Sequence, residues 1–175
     1  MAADPLTIRP AGPADVETVL ETLTEAARWE RSNGLPHPWP IPFPVERVTP
    51  SLARGELFVV ESLDGRPLGT VTLQWEDLPF WGARPPDGGY VHRLAVRRAV
   101  SGLGLGGRIL EWAATSVRAR GRSFLRLDCL TSAQRLVAFY ESLGFRRVGE
   151  ATVGGLDCTL FERRVGPPGD PIVPG

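Results

Sequence analysis

Lysine is missing: all twenty basic residues of the 175-residue chain are arginines. No lysine ammonium is therefore available to bind phosphate, form a Schiff base or undergo self-modification. Cysteine is scarce. Cys129 and Cys158 lie far apart, with no CxxC pair and no zinc-type spacing. That excludes a CxxC redox centre and a cysteine-built zinc site, and predicts two buried, reduced thiols in a cytoplasmic protein. No stretch approaches the ~20 apolar residues that span a bilayer. The opening MAADPLTIRP lacks the basic start and apolar core of a secretory leader. Twenty acidic residues balance the twenty basic ones, so bulk charge gives no reason to expect a nucleic-acid or membrane partner.

The length fits one domain with its own core and a tail. Leu6 to Ala11 reads as a first strand. Val16, Val19, Leu20, Leu23 and Ala27 recur at helical spacing, with Asp15 as N-cap and Gly34 near the stop. The proline-rich stretch Leu35 to Pro44 predicts a stiff loop, and VERVTPSLARGE a short helix interrupted by Pro50. LFVVES and TVTLQWE form a hairpin around Asp64-Gly65. Asp77 to Gly89 reads as a long loop carrying Phe80 and Trp81, and Tyr90 to Val96 as a strand. A helix is expected from Gly104 to Arg120, then a strand SFLRLDCL, a helix SAQRLVAFYESLGF ended at Gly144, and a terminal hairpin around Gly154-Gly155. The last ten residues, 166–175, read as a tail. This order predicts an α+β fold with a mixed sheet.

The most informative segment is VRRAVSGLGLGGRIL, Val96 to Leu110. A helix N-terminus leaves backbone N–H groups unsatisfied and adds about half a positive charge. Glycines let phosphates come close to such a main chain. A Walker A loop would need Lys and Ser or Thr where Gly106-Gly107-Arg108 stand. A dinucleotide fingerprint fits Gly102, Gly104 and Gly107, with Asp128 as the ribose acid. However, RRAVS separates the glycines from their strand, and too few strand–helix units follow Asp128 for a doubly wound sheet.

The third reading is a coenzyme A pyrophosphate site. LAVRRAVSGLGLGGRIL resembles motif A of the GNAT superfamily of N-acetyltransferases at Leu94, Ala95, Val96, Gly104 and Gly106. LVAFYESLGFRRVGE is similar to the same family's FY…GF helix and strand, through Phe139-Tyr140 and Gly144-Phe145. The likeness in strand order runs from Leu6 to Arg164.

The resemblance implies an α+β fold with a mixed, mostly antiparallel sheet, a splayed central strand pair and flanking helices. The acetyltransferase domain would cover residues 1–165. The implied reaction is direct acetyl transfer from acetyl-CoA to a primary amine, on a small molecule or a peptide N-terminus or side chain, without a metal. Leu94, Ala95 and Val96 would hold the pantetheine arm, with the Leu94 N–H as oxyanion donor. Ser101, Gly102, Leu103, Gly104, Leu105, Gly106 and Gly107 would hold the pyrophosphate, with Arg97, Arg98 and Arg108 flanking it. Tyr140 would protonate the leaving thiolate; the alternative is a packed core tyrosine.

The base is open. Tyr90, His92 and Leu94 share a strand face by alternation, and many members carry Glu where Tyr90 stands. His92 is the candidate, with Glu76, Asp77 and Asp87 as alternatives. Trp29, Trp39, Phe80 and Trp81 are the acceptor-lining candidates, with loop-pinning as the competing role. Cys129 is not expected to carry an acyl group. Ser101 replaces the family's usual Arg or Gln, and Ala133 its usual Asn. Both departures predict weaker cofactor binding, and with Tyr90 they keep a non-catalytic acyl-CoA-binding module as the alternative. An edge strand or the tail offers a surface for a homodimer.

Overall fold

The computed structural model describes residues 5–36 and 38–166; the tail expected at 166–175 therefore lies almost wholly outside the described residues. Seven strands form one mixed sheet in the order β1-β2-β3-β4-β5-β7-β6. The contacts divide the chain into two compact units: residues up to Leu73 with Arg93–Ile109, and Gln74–His92 with residues from Leu110 onward.

In the first unit, β1 (Leu6–Pro10) pairs antiparallel with β2 (Leu57–Ser62), and β2 with β3 (Pro67–Gln74). The β2–β3 turn holds Gly65 at φ +81, as the Asp-Gly pair predicts. Helix α1 (Val16–Ser32) buries Val19, Leu23 and Ala27 completely, and Val19 and Leu23 pack in a cluster with Val48, Leu57, Val59 and Ala95. Their i, i+4, i+8 spacing places all three on one face. Asp15 differs from the expected N-cap: its side chain caps no N–H of α1. It accepts instead from Arg9 at 2.8 and 2.9 Å and from the Gly12 N–H at 2.7 Å, closing the turn ahead of the helix. A bidentate arginine offers a carboxylate more than a lone backbone N–H does. Pro50 lies at the start of α2 (Thr49–Ala53), where its missing N–H costs nothing.

β4 (Gly88–Val96) has its first part, up to His92, in the second unit, where it runs parallel to β5 (Phe124–Leu130) over Gly88–Val91 and Phe124–Leu127. Helix α4 (Leu105–Ala119), whose residues up to Ile109 belong to the first unit, lies in the connection between these two parallel strands. β5 pairs antiparallel with β7 (Leu156–Arg164), and β7 with β6 (Arg146–Val153). The loop expected over Asp77 to Gly89 contains a one-turn helix, α3 (Leu78–Trp81), and β4 starts two residues before Tyr90. Asp77 caps α3 through the Phe80 N–H and a proline occupies its first turn, a start signal the loop reading overlooked.

Arg126 on β5 organises this unit. Its side chain is 3% exposed and pairs with Glu162 at 2.7 Å and Asp87 at 2.8 Å. It also donates to the Tyr90 hydroxyl at 3.0 Å. Removing a buried cation strands its partners, at a cost of roughly 3–5 kcal/mol for a fully buried pair. Asp87 and Glu162 reach some water, at 36% and 22% exposure. Arg126→Ala is therefore expected to lose about 3 kcal/mol in denaturant melts, the lower end of that range.

Candidate functional site

β4 holds His92 and Leu94, two of the candidate residues, and its backbone is irregular between them. Arg93 adopts φ +50, a left-handed conformation uncommon for a residue with a Cβ. The pleat breaks there, so the common face expected for Tyr90, His92 and Leu94 does not extend past Arg93. Tyr90 is 3% exposed, packed on Trp81 and bonded to Arg126, which removes it from any role in proton transfer.

His92 is flanked by two carboxylates from distant parts of the sequence. Its Nε2 lies 2.9 Å from Asp77 Oδ2, and its Nδ1 lies 3.8 Å from Asp128 Oδ1. The Asp77 side chain is 4% exposed and that of Asp128 12%. A carboxylate needs a donor, so Nε2 carries the proton toward Asp77 and Nδ1 keeps its lone pair. The three groups could offer one ligand atom each to a cation within 4.8 Å of one another. The carboxylates face different ring nitrogens, however, which suits an oriented base better than a chelate. Phe80 stands beside the imidazole, with ring centroids 5.8 Å apart.

Burial pushes the Asp128 carboxyl up to about 6; the His92 charge opposes this and the Asp77 charge adds to it. An acid with a raised native pKa binds its proton more tightly folded than unfolded. Stability therefore falls as pH rises from the ordinary value of 3.8 to about 6. About two units correspond to roughly 3 kcal/mol. Asp128→Asn is expected to raise the melting temperature at pH 8 and leave it nearly unchanged at pH 3.5. An equal change at both pH values would contradict that assignment.

Of the other base candidates, Asp87 is bound to Arg126, and Glu76 is exposed. Burial, assisted by the Asp128 charge, pushes the Cys129 thiol up to about 12, which leaves no thiolate for acyl transfer. Cys158 is likewise pushed up to about 11, first by burial.

The glycine stretch forms an exposed turn into α4. Gly102 and Gly104 adopt φ +83 and +73, and a Cβ on either would meet nothing within 4 Å. The Ser101 N–H is occupied by the Arg98 carbonyl, and the Arg108 N–H by the Gly104 carbonyl. The N–H groups of Leu105, Gly106 and Gly107 open the helix with no intrahelical acceptor. Such a turn is a candidate anion cradle. Leu103 is 68% exposed at its rim. Arg97 pairs with Glu25 at 3.3 Å and Glu21 at 3.7 Å, and Arg98 stacks 3.9 Å from the Trp29 ring. Of the three flanking arginines, Arg108 alone makes no ion pair or ring contact among the described residues. Leu94 and Val96 are half-buried and Ala95 is buried.

Trp29 lies beneath Arg98, Trp39 packs edge-on against Phe43, and Trp81 is 5% exposed against Tyr90. These three tryptophans pin structure, which leaves Phe80 as the aromatic beside the imidazole. Tyr140, half-buried on α5 (Gln134–Ser142), meets the rings of Phe139, Phe145 and Phe161 at 5.5–6.0 Å. Ala133 occupies the N-cap position of α5 and supplies no side-chain cap.

The mixed sheet, the glycine turn ahead of α4 and the imidazole between two carboxylates are the features to set beside known proteins. The model of the Acetyltransferase (GNAT) family matches residues 20–145. The uncharacterized N-acetyltransferase YesJ of Bacillus subtilis (strain 168) is 31% identical over 165 residues, covering 89% of this chain and 88% of its own. A GNAT-family acetyltransferase from Listeria monocytogenes 4b F2365 superposes with TM-score 0.80 at 25% identity, over 93% of this chain and 96% of its own. The yncA structure from Salmonella typhimurium, solved with its cofactor acetyl-CoA, shares the fold at TM-score 0.66 and 19% identity, over 96% and 98%. The chain belongs to the acetyltransferase (GNAT) family and is an N-acetyltransferase.

Proposed function

We propose that this enzyme acetylates a primary amine directly from acetyl-CoA, with one catalytic domain spanning residues 1–165. The observation that carries the proposal is His92, whose Nε2 is held 2.9 Å from Asp77 Oδ2 while Nδ1 is turned toward Asp128. Acetyl-CoA supplies the activated carbonyl. The turn from Gly102 to Gly107 suits its pyrophosphate, because the first N–H groups of α4 have no intrahelical acceptor and a Cβ at the positive-φ Gly102 or Gly104 would meet nothing within 4 Å. Arg108 adds the available cation there, and Ser101 lines the rim. Leu94, Ala95 and Val96 hold the pantetheine arm, and the Leu94 N–H faces the developing oxyanion. Phe80 lines the acceptor side.

His92 accepts the proton that the amine nitrogen loses, and Tyr140 gives one to the departing sulfur. Tyr140→Phe keeps the ring contacts and removes the hydroxyl. It is expected to lower kcat by about 10–100-fold with little change in KM for acetyl-CoA, the pattern of an interaction made in the transition state. The test of the whole reading is release of CoA thiol in the presence of primary amines. Amine-dependent release supports it, and CoA binding without turnover of any amine contradicts it.

A further inference from the structure

The acid–base reading leaves one atom without a role. Asp128 Oδ1 is buried and accepts no hydrogen bond from any described residue. Such an atom is costly to maintain and calls for an explanation. It lies 3.8 Å from His92 Nδ1, outside hydrogen-bond range. Because Nε2 is committed to Asp77, Nδ1 is a second acceptor facing the same space. Two acceptors at this separation, with no donor supplied by the described chain, suit a nitrogen that carries two N–H bonds. Such a nitrogen placed ~2.9 Å from each stands about 2.2 Å off the line joining them.

Building on the proposed amine acetylation, we infer that Asp128 Oδ1 and His92 Nδ1 grip the acceptor nitrogen through two separate N–H bonds, making Asp128 a catalytic residue that selects primary over secondary amines.

A neutral primary amine donates one N–H to each acceptor and keeps its lone pair for the thioester carbon. The N–C bond forms with that pair. The C–S bond breaks, and its electrons leave on sulfur, which takes the Tyr140 hydroxyl proton. The surplus proton on nitrogen passes along the existing N–H···Nδ1 bond to His92. The imidazolium so formed is flanked by the carboxylates of Asp77 and Asp128, and solvent then resets His92 and Tyr140. A secondary amine has one N–H and leaves one acceptor unmet.

The grip depends on pH. The titratable groups acting on Asp128 are His92 from β4, Asp77 ahead of α3, and the thiols of Cys129 on β5 and Cys158 on β7. Below about pH 6 the carboxyl is protonated and stops being a dedicated acceptor.

The test measures CoA release with an alkylamine, an aralkylamine, an amino sugar, a diamine and a peptide α-amine, each beside its N-methyl counterpart. The intact enzyme, Asp128→Ala and Asp128→Asn are compared. The wild type should favour primary amines by more than about tenfold. Asp128→Ala should abolish that preference, and Asp128→Asn, which keeps an acceptor oxygen, should retain part of it. The wild-type to Asp128→Ala ratio of kcat/KM should exceed about ten at pH 8 and approach one below pH 5.5. Unchanged CoA-induced thermal shifts show that the variants remain folded. A ratio independent of pH, or unaltered selectivity in Asp128→Ala, overturns the inference while leaving amine acetylation intact. CoA binding by the wild type with no primary amine in the panel turned over overturns both.

Discussion

Replacing His92 with Gln is expected to lower kcat/KM for the amine by about 10²–10⁴-fold, the range for losing a positioned general base. The fold should survive, because His92 is at the irregular part of β4 and reaches 17% exposure. Affinity for CoA should stay within about twofold, because the cradle belongs to the other unit of the chain. Asp77 offers a finer probe. Its Oδ1 caps α3 and its Oδ2 holds His92, so Asp77→Ala would lose both bonds. Asp77→Asn keeps an oxygen for the cap and removes the charge that fixes the imidazole proton on Nε2. Activity should fall at least tenfold with α3 intact, the signature of a misplaced tautomer. Steady-state kinetics beside CoA-induced thermal shifts separate these effects.

Gly104→Val should weaken CoA binding by about 10–100-fold, which is roughly 1.4–2.8 kcal/mol. Space does not cause this effect, since a Cβ at Gly104 meets nothing within 4 Å. The backbone does. At φ +73 an L-residue pays about 1–2 kcal/mol, and β-branching makes that worse. The turn relaxes, and the N–H groups that open α4 lose their common aim. Asparagine tolerates this region better than other side chains, so Gly104→Asn should lose much less. Calorimetric titration with CoA across Gly, Asn and Val at this position distinguishes backbone geometry from a change in size. Equal affinities for Gly104 and Val would remove the cradle from its assigned place.

The glycine turn and the His92 cluster differ in how readable they are from sequence. The cradle is local: strand, glycine turn and helix start within Leu94 to Leu110, so spacing alone exposes it. The candidacy of Tyr140 is local too, resting on its short distance from Gly144-Phe145. The relay is not local. Asp77, His92 and Asp128 come from the start of a one-turn helix, an irregular strand and the end of the neighbouring parallel strand. Asp77 appeared among the alternatives for the base, but its partnership with His92 depends on α3, and the cap signal Asp-Leu-Pro was read as loop. Asp128 enters the sequence reading only as the ribose acid of a dinucleotide fingerprint, because nothing in its neighbourhood shows that β5 lies beside β4. Alternation puts Tyr90 on the face of His92 and says nothing of its burial. Its burial comes from Arg126, 36 residues away. Arg97 and Arg98 looked free for phosphate until the sheet brought them to Glu21, Glu25 and Trp29 of α1. Local motifs thus expose the candidate cradle, and tertiary pairing determines which polar residues are already occupied.

The most direct test follows CoA release from acetyl-CoA across the primary-amine panel, for the wild type and His92→Gln, between pH 5 and pH 9. The account predicts amine-dependent release by the wild type that increases with pH, and a loss of at least 10²-fold in the variant at pH 8 with CoA binding preserved. Equal rates for the two proteins, or wild-type release that does not depend on the amine, would contradict it.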